Sequence, residues 1–195
     1  MLAKDIKKVL VDKWLKDLGG DIYSEFYTDA AQADLAVLCD DKFVGLEIKS
    51  SSDTLKRFIE TQRWGYTYFF DDLWLVVDNK HVEKAIELLS KDFYKLNPDP
   101  WGLMSIGPRG KLTVHKEPSQ NSNRKPLYLV KRLWKADLVQ ELKAREQRGY
   151  SKLTSAKLRR LLLSLIKPEE LRPLIRKYAR LHEEFKLNKR ALWLT

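Results

Sequence analysis

The chain has 195 residues, of which 44% are hydrophobic and 33% are charged, and its formal net charge is +10. This length suits one domain of ordinary size with a smaller appendage, and no apolar run approaches the roughly 20 residues that a membrane helix needs. Residues 1–5 lack the apolar core of a signal peptide, and the single cysteine, Cys39, excludes an internal disulfide bond. We therefore expect a cytoplasmic protein that does not enter a membrane, with Cys39 in its core.

The charge is distributed unevenly along the chain. Residues 1–100 carry 14 Lys and Arg and 19 Asp and Glu, which gives a net charge of −5. Residues 101–195 carry 23 and 8, which gives a net charge of +15. Such a basic second part predicts a polyanionic partner. The alternative is a solvated basic surface that only keeps a set of helices soluble.

The acidic first part predicts alternating helices and strands. Apolar residues at helical spacing indicate a helix over residues 4–18, which ends at the glycines 19–20. A strand over residues 21–28 follows, and residues 33–49 then form two strands joined by a polar turn. The later predicted elements are a helix over residues 55–70, a buried strand over 73–77, a helix over 80–94 and a second hairpin over 101–115. The strand–helix–strand order predicts parallel pairing across the helix.

Three polar side chains interrupt the apolar strand pair. Asp34 lies on its first strand, and Glu47 and Lys49 share one face of the second because they are two residues apart. If residues 40–41 form a two-residue turn, Asp34 lies directly opposite Glu47, with Cβ atoms roughly 4.5–5.5 Å apart. A four-residue loop would leave the two carboxylates closer to diagonal.

Two carboxylates at this spacing repel each other, and a divalent cation between them removes that cost. Hard oxygen ligands favour Mg²⁺, for which Mn²⁺ should substitute, and the backbone carbonyl of Ile48 could complete part of the ligand set. Lys49 could orient an attacking water or stabilise charge on a phosphate, so the group suits phosphodiester hydrolysis. The alternative is that Glu47 and Lys49 form a surface ion pair on an edge strand. Glu25, one strand earlier, is either a third acidic group or a solvent-facing residue.

These residues resemble the motif of the PD-(D/E)XK nuclease superfamily. Asp34 followed by Glu47-Ile48-Lys49 resembles its core motif, and the element order over residues 4–94 resembles its core. Gln62 and Tyr66 are similar to the Gln-x-x-x-Tyr motif of the RecB-like branch, and Glu25 is similar to an extra acid that many members carry. The segment from residue 45 to residue 55 most resembles MmcB-like DNA-repair proteins.

The resemblance implies a role for each of these residues. Asp34 and Glu47 would bind metal together with the Ile48 carbonyl, and Lys49 would be the catalytic amine. Glu25 and Gln62 would be accessory catalytic residues. Tyr66 would contact nucleic acid.

The basic second part predicts helices with breaks at Gly149, Pro168 and Pro173. We expect a nuclease core over residues 1–116, a linker over 117–125 and a basic helical region over 126–195. Within this region residues 138–162 resemble SAP or helix-extension-helix DNA-binding motifs. Six cations are candidates for phosphate contacts: Lys152, Lys157, Arg159, Arg160, Arg176 and Lys177. Three aromatic residues could either stack on bases or pack in a core: Trp134, Tyr150 and Tyr178.

The sequence thus predicts an α/β protein with a restriction-endonuclease-like central mixed sheet flanked by helices, plus an all-α basic C-terminal region. The expected function is Mg²⁺-dependent hydrolysis of DNA in repair, recombination or phage biology. Two alternatives stay open: a non-catalytic nucleic-acid-binding protein on a nuclease-like fold, and a protein that acts by gripping another protein. The oligomeric state is open, with a homodimer among the options.

Overall fold

The computed structural model describes residues 1–29, 31–90 and 99–192, and the side chains of those up to residue 186. Two compact units divide the chain, Met1–Arg124 and Lys125–Thr195. The first contains, in order, helix α1 (Ala3–Lys13), strands β1 (Asp21–Tyr27), β2 (Gln32–Leu38) and β3 (Phe43–Lys49), a π-helical turn (Phe58–Gln62) leading into helix α2 (Arg63–Thr67), strand β4 (Asp72–Asp78), helix α3 (Val82–Ser90) and strands β5 (Trp101–Ile106) and β6 (Leu112–Lys116). The second contains helices α4 (Pro126–Val130), α5 (Lys135–Ala144), α6 (Ser155–Leu165) and α7 (Pro168–Leu192).

The six strands of the first unit form one mixed sheet in the order β1-β2-β3-β4-β5-β6. The β1/β2, β2/β3 and β5/β6 pairs are antiparallel, whereas β3/β4 and β4/β5 are parallel. A sheet flanked by helices and followed by helices confirms the predicted α/β class, and the parallel β3/β4 pair confirms the inference from the strand–helix–strand order.

The hairpin between β2 and β3 has the register that the two-residue turn predicts. Leu38 faces Phe43 and Leu35 faces Leu46. The Cys39 backbone N–H donates to the Lys42 carbonyl at 2.9 Å, so residues 40–41 are the turn. This register is decisive for the site, because a slip by one residue would move each side chain to the other face of the sheet.

Strand β3 is buried along its whole length and separates two kinds of packing. Leu46 and Ile48 belong to an apolar cluster with Ile6 and Leu10 of α1. Glu47 and Lys49 point to the opposite face because strand side chains alternate. On that second face Gly45 lets the Phe70 ring approach so closely that a Cβ at this glycine would lie 2.3 Å from it.

Several element boundaries differ from the prediction. The helix expected over residues 4–18 is α1 followed by a short 3₁₀ turn at Leu15–Leu18, and the helix expected over 55–70 is the π-helical turn plus α2. The predicted end of the helix over 80–94 lies outside the described residues. The break expected at Pro173 is wrong. This proline lies in the second turn of α7, where buried neighbours such as Ile175 outweigh one missing backbone hydrogen bond.

None of the helices in the described part of the chain combines the length and the apolar composition needed to cross a membrane.

Candidate active site

A buried polar cluster occupies the face of β3 that is turned toward α2. The Lys49 ammonium donates to Glu47 Oε1 at 2.6 Å and to Gln62 Oε1 at 3.0 Å. The Tyr66 hydroxyl donates to Glu47 Oε2. All four side chains belong to buried residues, with Glu47 only 1% exposed. Gln62 and Tyr66, one helical turn apart, therefore fix Lys49 and Glu47 respectively.

The helix that carries Gln62 and Tyr66 is irregular at this place. Phe58–Gln62 forms a π-helical turn, and α2 begins at the next residue. π-helical turns are rare in proteins as a whole, and many of those that occur lie at functional sites. Phe58 anchors this turn by packing edge-on against Trp101, with ring centroids 4.8 Å apart. The π-helical turn thus positions Gln62 to accept the Lys49 hydrogen bond, and the helix that follows carries the buried Tyr66.

Asp34 lies where β2 and β3 separate. The paired residues end at Leu35 and Leu46, and the same register continued by one residue places Asp34 opposite Glu47. Instead of a further strand-to-strand bond, the Ile48 backbone N–H donates to Asp34 Oδ2 at 2.8 Å. The Asp34 side chain therefore occupies the gap between the strands, beside the Glu47 carboxylate.

Sequence reasoning missed Lys7, which lies among the acids of β1 and β2. Its ammonium pairs with Glu25 and lies 3.6 Å from Asp34 Oδ1. Gln32 Nε2 also donates to Glu25, at 2.8 Å. The only signal in the sequence was the position of Lys7 next to the buried Ile6, at the edge of the apolar stripe of α1. Lys7 is the cation that links α1 to the carboxylates.

Glu25 is exposed and holds an unusual backbone conformation. Its φ of 54° lies in the left-handed region, which costs a non-glycine residue about 1–2 kcal/mol. In the β1/β2 register its place is across from Asp34, on the side away from β3. Of the two interpretations of Glu25, its exposure agrees with a solvent-facing residue, and it is linked to Asp34 through Lys7.

The two central carboxylates are electrostatically strained. Burial raises the pKa of Asp34 above its ordinary value, against the lowering effect of the Ile48 hydrogen bond. Burial and then the neighbouring Asp34 charge raise the pKa of Glu47, in spite of Lys49 and Tyr66. Burial and the adjacent Glu47 also raise the pKa of the Tyr66 hydroxyl, which therefore stays a donor. The pair would gain from an additional cation.

The chemistry of the donor set fits a hard divalent cation. Mg²⁺ is commonly bound through one or two carboxylates and keeps several of its waters. Asp34 and Glu47 supply two such carboxylates, and burial raises the pKa of both in spite of the neighbouring ammonium groups. Within the described ranges, no group of three or more His, Cys, Asp or Glu side chains is arranged to hold a metal ion. A cation bound here would therefore have two carboxylate ligands, with backbone oxygens such as that of Ile48 as further candidates.

The residues predicted to contact nucleic acid fall into two groups. Tyr66 is fully buried, with its hydroxyl on Glu47, so its assignment as a nucleic-acid contact is wrong and its place is that of a positioning residue. The six predicted cations lie on α6, on α7 and just before α6. Lys152, Lys157, Arg160 and Lys177 are exposed, while Arg159 and Arg176 are half-buried.

A second buried acid, Glu141 of α5, has a different environment. Lys177 and the Tyr178 hydroxyl donate to its Oε1 at 2.7 Å and 2.8 Å, and Arg145 pairs with its other oxygen. Burial acts to raise the pKa of Glu141, but these hydrogen bonds outweigh burial and lower it. Glu141 is thus compensated from within the second unit, and Lys177 is partly engaged in that role.

Comparison with known proteins gives one family and one solved structure. The family model of bacteriophage P4 protein cII matches residues 3–195. The chain belongs to the bacteriophage P4 protein cII family. The solved structure is a protein of unknown function, SPO1766 from Silicibacter pomeroyi, with 19% sequence identity and a TM-score of 0.43, over 74% of this chain and 94% of that one. No curated protein matches the chain.

Membership of this family places the chain in phage biology. The chemistry open to this chain depends on its own side chains, above all those of Asp34, Glu47 and Lys49.

Proposed function

We propose that this phage-related protein is a metal-dependent nuclease that hydrolyses DNA phosphodiester bonds. The observation that supports this most is the opposed pair Asp34 and Glu47, both with raised pKa values, next to the buried ammonium of Lys49. The resemblance of these residues to the PD-(D/E)XK motif points in the same direction. A buried cluster with perturbed acids and a fixed amine is typical of catalytic sites.

Each residue has a definite task in this proposal. Asp34 and Glu47 hold Mg²⁺, which supplies a Lewis acid for a phosphoryl oxygen and a bound water of lowered pKa. Lys49 stabilises the charge that develops on the phosphate, and its ammonium is oriented by Gln62. Tyr66 fixes the Glu47 carboxylate and is a positioning residue.

Cleavage of supercoiled plasmid DNA tests the proposal. The wild-type protein should nick or degrade the plasmid with Mg²⁺ or Mn²⁺, and EDTA should stop the reaction. Asp34→Asn should be inactive while remaining folded, because the amide oxygen can still accept the Ile48 N–H. Lys42→Ala is the matched control, since Lys42 belongs to the same hairpin but pairs with Asp72 at the other end of β3. Equal cleavage by wild type and Asp34→Asn would refute the proposal.

The exposed cations of α6 and α7 support a second candidate, a protein that binds nucleic acid without cutting it. Binding through phosphates should weaken steeply with salt. This candidate predicts salt-sensitive DNA binding and no metal-dependent product, so binding and cleavage measured on the same preparation separate the two.

A further inference from the structure

An exposed tryptophan is held rigidly at the start of α5 in the second unit. Trp134 is 45% exposed, although its ring stacks on the imidazole of His182 with centroids 3.7 Å apart and planes at 11°. Phe185 packs against it edge-on at 5.9 Å. His182 thus covers one face of the indole and Phe185 packs against it as well, yet nearly half of the tryptophan stays exposed.

The partner ring is itself fixed from both sides. His182 is only 2% exposed, its Nε2 lies 2.8 Å from Asp137 Oδ2, and an Arg132 N–H donates to its Nδ1 at 2.9 Å. Asp137 Oδ2 also accepts the backbone N–H of Trp134 at 2.6 Å. The same carboxylate thus fixes both the tryptophan backbone and the ring beneath the indole.

The indole stands in a basic environment. It lies within the sequence Lys131-Arg132-Leu133-Trp134-Lys135, in which Lys135 is exposed. Arg159, one of the cations predicted to contact phosphates, donates weakly to the Lys131 carbonyl at 3.5 Å. Trp134 is therefore flanked in the chain by cations, of which Lys135 is exposed, and the α6 cation Arg159 contacts the same segment.

We propose that Trp134 is a platform on which an unpaired base of a nucleic acid stacks, with the neighbouring cations on the flanking phosphates. Aromatic faces beside positive charge are the usual means of binding single-stranded nucleic acid. The bases of a duplex are already stacked on each other, so this surface should prefer single strands. The inference deepens the proposed function, because it rests on nucleic acid being the partner and names the form that the second unit binds.

The main rival occupant is a second copy of this chain. Leu181 and Phe185, 44% and 53% exposed, lie on α7 near the indole and could form a self-association surface. Charge favours nucleic acid, because the exposed Lys135, adjacent to Trp134 in the chain, would approach the same cation of the other copy in a symmetric pair.

Binding is measured by fluorescence anisotropy in EDTA, which prevents cutting. The probes are a labelled oligothymidylate, an abasic oligomer with the same number of phosphates, and a duplex of equal length. Trp134→Ala should weaken binding of the oligothymidylate about 5- to 150-fold and leave the abasic oligomer unchanged. Trp134→Phe should restore most of the affinity, because it keeps an aromatic face. Tyr27→Ala is the control, since Tyr27 is an exposed aromatic residue of β1 in the other unit.

Equal losses on the two single-stranded probes, or no loss on either, would overturn the inference. So would a wild-type dimer that Trp134→Ala converts to a monomer without a base-dependent change in affinity. Plasmid cleavage with Mg²⁺ is scored separately. A protein that never cleaves DNA but loses base-dependent binding with Trp134 retains this inference and loses the nuclease proposal.

Discussion

The two units each bury acidic side chains, with opposite electrostatic outcomes. In the first unit burial raises the pKa values of Asp34 and Glu47, and the donors around them do not compensate. In the second unit burial also acts on Glu141, but hydrogen bonds from Lys177, Arg145 and Tyr178 lower its pKa. The number and placement of internal donors thus decide whether burial or hydrogen bonding determines the direction in which the pKa of each acid is shifted.

The two units also differ in how far their acid-paired lysines are buried. Lys49 is buried between Glu47 and Gln62, whereas the side chain of Lys177 is half exposed at the edge of its network. Removing Lys49 leaves the buried Glu47 carboxylate without its cation. Removing Lys177 leaves Glu141 with its hydrogen bonds from Arg145 and Tyr178. The largest effects of substitution should therefore appear in the first unit.

The largest effect on stability and cleavage is expected for Lys49→Ala. This change leaves Glu47 buried without its cation, so we expect the first unit to lose about 3–5 kcal/mol of unfolding free energy. Cleavage should fall at least about 100-fold, because a group aimed at developing charge is lost. Thermal denaturation measures the first effect, and plasmid cleavage at a temperature below the melting temperature of the variant measures the second.

Lys42→Ala serves as the control for this change. Its half-exposed pair with Asp72 should contribute less than about 1 kcal/mol, and cleavage should be unchanged. If Lys49→Ala behaves like Lys42→Ala in both measurements, Lys49 has neither the structural nor the catalytic role assigned to it.

Glu141→Gln tests the compensated acid. The lowered pKa of Glu141 means that its ionised form stabilises the folded second unit above the ordinary carboxyl pKa, and that this gain is lost as pH falls through the lowered value. The variant should therefore lose about 2 kcal/mol at neutral pH, with the difference from wild type vanishing in acid. Denaturant unfolding as a function of pH measures this, and Glu184→Gln on the exposed side of α7 should change stability by less than about 0.5 kcal/mol. Plasmid cleavage should not change.

Asp34→Asn should change the free energy of unfolding in the opposite direction to Glu141→Gln. Because the pKa of Asp34 is raised in the folded state, the contribution of Asp34 to wild-type stability falls as pH rises from about 4 through the folded pKa. Removing the charge should stabilise the protein by about 1 kcal/mol at neutral pH, with no difference below about pH 4. Unfolding curves recorded without metal at several pH values measure this change in stability. Asp12→Asn is the control, since Asp12 is an exposed residue of α1. A loss of stability at neutral pH would show that Asp34 is compensated after all.

The smallest effect is expected for Lys7→Gln. The Lys7 ammonium lowers the pKa of Asp34 and competes with any other cation there. Its removal should raise the affinity for Mn²⁺ about 5-fold, which corresponds to one charge at this distance in a water-like medium. Titration calorimetry measures the affinity, and the exposed neighbour Lys8 provides the control as Lys8→Gln. Unchanged affinity would mean that Lys7 lies outside the field of the cation site.

The part of the site formed by residues close in sequence could be predicted from the sequence. The two-residue turn over residues 40–41 set the strand register, and helical spacing put Gln62 and Tyr66 on one side. Both depend on geometry between near neighbours, which strand and helix periods determine. The assignment of Tyr66 to nucleic acid failed, because periodicity gives a shared side of a helix but not whether that side is buried.

The long-range part of the site was not predictable in this way. Lys7 reaches Glu25 and Asp34 only because α1 packs on the sheet with one particular rotation, which no local pattern specifies. The π-helical turn before α2 and the left-handed backbone of Glu25 also have no residue signature, since neither contains glycine or proline. The stack of Trp134 on His182 joins residues 48 positions apart, and only the packing of α7 reveals it.

The proposed nuclease function depends on a cation site formed by Asp34 and Glu47 together. Calorimetric titration of Mn²⁺ into the metal-free wild-type protein, Asp34→Asn and Lys42→Ala measures this without any assumption about substrate. We predict saturable binding to wild type and to Lys42→Ala, with binding abolished in Asp34→Asn. Equal binding to all three proteins, or binding to none, would contradict the claim.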